Sequence, residues 1–212
     1  MTSDELIAEG RRLARPSVVL TSEGERDLAA IWYGPSRAAD ESEFHCWIAV
    51  DSLFIPKFPT LDSRILSVFT DERDCHSGRI EFSDAWPDRP GASLYARSED
   101  ILPPIDAVFA KGSDAVRQWL AANRWERNWG FNNNFQDRKI VEEYNNIFTK
   151  EYPLYRDEVY ATLGGWHSPW PEDDWGDLID EQLLVMTIKD SEPWVETWKL
   201  RAGDYRVIQR IT

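Results

Sequence analysis

The sequence predicts a single α+β domain over residues 1–212, with a mostly antiparallel sheet, helices inserted in the middle third and a three-stranded β-meander at the C-terminal end. Three observations carry this expectation. Short strand-like runs punctuated by Pro, Gly, Asp and Ser fill the first hundred residues and return in the last third. Two segments with helical spacing lie between them. The order strand-rich, helical, strand-rich lacks the regular alternation that a doubly wound α/β fold requires. No repeat of roughly 20–50 residues and no low-complexity linker divides the chain, and 212 residues can bury a core without disulfides or metals. With 42% hydrophobic and 29% charged residues, long disorder is not expected.

In chain order, Thr2 and Glu5 form a T-x-x-E capping box. Leu6, Ile7 and Leu13 then give a short amphipathic helix that stops before Pro16. Strands are expected at SVVL (17–20), LAAIWY (28–33), FHCWIAVDSLF (44–54), RILSVFT (64–70), RIEF (79–82) and ASLYA (92–96). Ser113 can cap a helix over 114–125 that places Val116, Trp119 and Leu120 on one face. A second helix over 137–152 aligns Ile140, Val141, Tyr144, Ile147 and Phe148, and Pro153 ends it. QLLVMTIKD, PWVETWKL and DYRVIQRIT form the terminal meander, with a hairpin turn at Arg201–Asp204. Alternation puts Trp194, Glu196 and Trp198 on one face, where Glu196 can pair with an arginine of the next strand.

Charge and cysteine content narrow the function. A net charge of −14 argues against nucleic-acid binding and against anionic membrane surfaces, both of which need clustered Lys and Arg. No apolar run reaches the length of a membrane helix, and the N-terminal stretch lacks the apolar centre of a secretory signal, so a cytoplasmic protein is expected. Its two cysteines are too few for a disulfide framework. Between Glu151 and Glu192, eleven acids face only Arg156 and Lys189, a local net charge of −9 in about a fifth of the chain. Such crowding of like charge costs a compact state free energy, which points to a functional surface.

Catalytic and metal chemistries find little support. His45-Cys46 and Cys75-His76 have the residue types of a tetrahedral zinc site, but neighbours on a strand point to opposite faces and the usual C-x₂-C spacing is absent. Cys75 is surrounded by Asp71, Glu72 and Asp74, which oppose thiolate formation. Neither G-x-S-x-G, a P-loop, G-x-G-x-x-G nor H-E-x-x-H occurs. An EF-hand register with Gly176 sixth places Pro171 first and Trp175 fifth, and the pattern fails. No metal, no cofactor and no catalytic constellation is expected.

The most unusual stretch is Gly164–Trp175, GGWHSPWPEDDW. The glycine pair permits a turn that a side chain would block, and Pro169 and Pro171 stiffen the chain beyond it. Rigid aromatics beside carboxylates suit a basic protein partner, whose Arg or Lys can stack on the rings and pair with the acids. The candidate partner-binding set is therefore Trp166, His167, Trp170, Glu172, Asp173, Asp174, Trp175 and Asp177. A competing reading has Trp166 and Trp170 filling the core beneath the terminal sheet. The loop Trp125–Phe135, rich in Asn and aromatic residues, is a second candidate surface. In general character, though in no specific motif, the chain resembles bacterial immunity proteins, small acidic domains that neutralise basic toxins by direct binding. The expected function is a non-enzymatic, immunity- or antitoxin-like domain that masks a basic protein. The alternative is a carbohydrate- or small-polar-ligand-binding protein, or a hydrolase, using the Trp/acid loop 164–177 with His167 as acid or base and Asp174 as its partner.

Overall fold

The structure, a computed structural model, describes residues 1–24, 28–32, 44–55, 64–71, 78–86, 92–122, 135–167, 183–189, 194–199 and 205–210. Helix α1 spans Ser3–Leu13 and opens on the expected capping box. The Glu5 N–H donates to Thr2 Oγ1 at 3.2 Å, and the Thr2 N–H donates to Glu5 Oε2 at 2.7 Å. Strands then come at β1 (Arg15–Thr21), β2 (Leu28–Trp32), β3 (Phe44–Asp51), β4 (Ile65–Asp71), β5 (Gly78–Ser83) and β6 (Ala92–Ile101). The helical block is α2 (Ile105–Lys111), α3 (Asp114–Ala122) and α4 (Phe135–Glu151), and the chain returns to strands with β7 (Val159–Gly164), β8 (Leu183–Ile188), β9 (Trp194–Lys199) and β10 (Tyr205–Arg210).

The strands form one antiparallel sheet in the order β10-β9-β8-β7-β1-β6-β2-β3-β4-β5. The C-terminal meander β8–β10 joins the N-terminal strands through β7, which lies between β1 and β8. Two elements have no counterpart in the sequence expectation, β7 and the seven-residue α2. Several others differ by a residue or two at their ends, and β3 and β6 by more. The strand expected over 44–54 stops at Asp51, because the Leu53 N–H donates to Asp51 Oδ1 at 3.0 Å and turns the chain into a 3₁₀ segment. β6 runs on from Ala96 to Ile101, because the ladder to β1 continues from Leu20 opposite Ala96 to Arg15 opposite Ile101. In β3, which carries His45 and Cys46, the register against β4 shifts between Cys46 and Ile48. Cys75 and His76 lie outside the described residues, and no cluster of three metal-ligating side chains occurs among those described. None of the described helices is long and apolar enough to cross a membrane.

The sheet buries both faces. On one, Leu20, Ile48, Val50, Leu66, Val68, Leu94, Leu163, Ile188, Val195 and Val207 form a single apolar cluster. Residues from strands so far apart in the sheet meet only if it curls around this face, as broad twisted sheets do. At the ends of the curl, Phe82 of β5 and Tyr205 of β10 bring their rings within 5.4 Å. On the other face, Val19, Ile101, Val159 and Trp198 pack under the helices, against Leu6, Val108, Leu120, Val141, Tyr144 and Phe148. The α4 residues expected to face the core do so, with Tyr144 and Phe148 at 1% and 3% exposure. Gly10 makes this packing possible, because a Cβ there would lie 2.5 Å from Tyr144 Oη. That hydroxyl donates to the Pro103 carbonyl at 2.7 Å, and burial holds its pKa well above the usual tyrosine value.

Candidate functional site

The strand β7 ends in Gly164 and is followed by Gly165, with φ of 72° and 81°, the left-handed region that glycine enters without steric cost. A Cβ on Gly165 would lie 2.8 Å from Ile101 Cδ1 and 3.2 Å from Ser17 Cβ, so the turn is made against the neighbouring strands with no room to spare. It sends the next two side chains under the helices.

Trp166 is 2% exposed. Its Nε1–H donates to the Leu13 carbonyl at 2.9 Å, where α1 meets β1. Its own carbonyl accepts from Tyr152 Oη at 3.2 Å. The Arg15 guanidinium lies over its ring, with Cζ 3.4 Å from the centroid. His167 is 1% exposed, and its Nε2 lies 3.0 Å from Asp106 Oδ2, in the first turn of α2. The imidazole also sits 6.3 Å from the Trp198 ring on β9. Trp198 Nε1–H donates to the fully buried Glu196 at 3.2 Å. The four residues Gly164–His167 therefore tie β7 to the α1–β1 junction, α2, the end of α4 and β9.

Two of the sequence-predicted surface residues, Trp166 and His167, are thus core residues. The competing reading, a tryptophan filling the core beneath the terminal sheet, describes Trp166. His167 cannot act as acid or base on a ligand while its ring is enclosed and its Nε2 is engaged by Asp106. Trp170, Glu172, Asp173, Asp174, Trp175 and Asp177 lie outside the described residues, as does most of the Trp125–Phe135 loop. They belong to the connection from β7 to β8, whose ends are fixed by Leu163 pairing with Met186.

The neighbours of this root were not legible in the sequence. Asp106 comes after Pro103-Pro104 and reads as an ordinary first-turn acid. Arg15 and Tyr152 are brought in by chain pairings that local periodicity does not encode. Glu196 stands opposite Ile208 in the β9–β10 register, and Arg206 and Arg210 stand opposite Trp198 and Trp194, so both arginines are diagonal to it rather than directly across.

The basic residues of the acid-rich span are both drawn inward. Arg156 donates to Glu99 at 2.7 Å, and Lys189 Nζ donates to the Arg156 carbonyl at 2.9 Å. Among the described acids of that span, Glu151 pairs with Arg11, while Asp157 and Glu158 are exposed. Compared with protein-family models, with curated proteins and with solved structures, the chain finds no match.

Proposed function

We propose that this chain is a non-enzymatic protein-binding domain, immunity- or antitoxin-like in kind, that masks a basic protein partner. The observation that carries the reading is the charge of residues 151–192, −9 net, whose two bases are committed to contacts within the fold. An excess of acids over bases in one span raises the local negative potential, which speeds encounter with a basic surface and selects against acidic ones. The partner-binding residues in this reading are Trp170, Glu172, Asp173, Asp174, Trp175 and Asp177. Trp166 and His167 serve it from below, as the buried root from which the segment leaves the sheet.

The test is triple charge reversal, Glu172→Lys, Asp173→Lys and Asp174→Lys, with the fold checked by circular dichroism and thermal melting. A partner captured from lysate by the unaltered protein should bind the variant at least about tenfold more weakly. The loss should shrink as salt is raised and the Debye length falls. A folded variant that binds the same partner equally well at low salt overturns the reading.

A further inference from the structure

Arg15 differs from the other arginines of the helix-covered face. Arg11, Arg12, Arg97 and Arg156 each meet a carboxylate. Arg15 meets none among the described residues, although the chain carries 38 acids. What it meets is the ring of Trp166, at stacking distance. That ring is itself immobilised by the Leu13 carbonyl and by burial. Two acids of the neighbouring elements are engaged elsewhere, Asp106 by His167 and Glu99 by Arg97 and Arg156.

The electrostatic consequence is visible in two arginines a few residues apart. Glu9 raises the pKa of Arg12, as a bound carboxylate should. Burial lowers that of Arg15, with nothing opposing it. Side-chain entropy has already been lost to the stack, water has been partly removed, and the in-plane N–H donors remain without an acceptor from the described residues. A guanidinium held over a ring keeps its N–H donors in its own plane, in the fork that a carboxylate fits. Arg15 as a residue keeps partial exposure.

We propose that Arg15, held against Trp166, is a recognition point for a carboxylate-bearing ligand, bound by two parallel N–H···O hydrogen bonds. A single guanidinium balances the single charge of a carboxylate. A phosphate dianion would keep an unbalanced charge at this point and would be repelled more strongly by a chain of net charge −14. The inference does not rest on the basic-partner reading, because its evidence is a cation held on a buried ring and not the acids of that reading.

The probe is acetate, with chloride and inorganic phosphate at matched ionic strength, titrated into the full chain labelled with ¹⁵N-arginine and indole-¹⁵N-tryptophan. Arg15→Lys assigns the Arg15 Nε–H resonance. Acetate should move that resonance and the Trp166 Nε1–H along one saturable curve. Chloride and phosphate should act at least about tenfold more weakly, and the Trp166 response should vanish in Arg15→Lys. A linear response shared by all three anions means screening alone and overturns the proposal, and tighter phosphate binding overturns the carboxylate assignment. A resonance that ignores acetate but moves in Glu172→Gln, Asp173→Asn or Asp174→Asn would show the chain's own acid seated there, and would also overturn it.

Discussion

Glu9 and His167 both sit buried on the helix-covered face, and each joins elements far apart in sequence, yet the two joints rest on different interactions. At Glu9 the joint is electrostatic. Its carboxylate accepts from Arg12 Nε at 2.9 Å and Nη2 at 2.7 Å, and it also accepts the Ser113 N–H between α2 and α3. Arg12 and Ser113 hold its pKa down to about 2, against the desolvation that opposes them. At His167 the contact to Asp106 has the rings of Trp166 and Trp198 beside it, so apolar burial contributes more to this joint than to the one at Glu9. A charged joint should respond to pH and tolerate loss of its exposed partner. A packed joint should be insensitive to salt and fail when volume is removed.

The largest effect is expected at the packed joint. Trp166→Ala removes a buried indole and its bond to Leu13, and chemical denaturation should show a loss of about 3–5 kcal/mol. A loss smaller than that of Glu9→Gln would break the contrast. Gly165→Ala ranks second, at about 1–3 kcal/mol, because it places a Cβ against Ile101 at positive φ. Replacing Gly165 at no cost would show that the turn relaxes and that the root is not held by it.

Glu9→Gln should cost on the order of 2 kcal/mol at pH 7. Its pH dependence is the sharper test. The folded pKa lies near 2, below the ordinary 4.5, so folding favours the ionised form. Its contribution is fully present above about pH 4.5 and is lost as pH falls toward 2. The stability difference between the unaltered protein and Glu9→Gln should therefore close across that window. A difference that stays constant from about pH 6 to about pH 3 would mean that packing, not charge, is what Glu9 supplies. The smallest effect belongs to Arg12→Ala, at about 0.5 kcal/mol, because Arg12 is 57% exposed and water and salt screen its pair.

Features written into neighbouring residues were legible. The capping box of Thr2 and Glu5, the buried stripe of α4 and the alternation of β9 each depend on spacings of two to four residues, and each stands where the sequence places it. β7 was not legible because Val159–Gly164 has a glycine turn signal at its C-terminal end only, and α2 because seven residues give too few turns for a periodicity. Gly164–Trp175 divides at its glycines. The pair does make the expected turn, but the aromatic and the histidine after it point inward. A tryptophan beside a histidine has the same local pattern whether it is buried or displayed.

By itself the sequence determined the α+β class, the capping of α1, the core face of α4 and the excess of acid between Glu151 and Glu192, because these depend on composition and on contacts a few residues apart. The tertiary structure alone decided that β7 inserts between β1 and β8, that Trp166 finds Leu13 and Arg15, and that His167 finds Asp106. Those partners stand about 60 to 150 residues apart in the chain. Bringing them together costs loop-closure entropy that only the summed burial of both sheet faces offsets, and no local pattern records that sum.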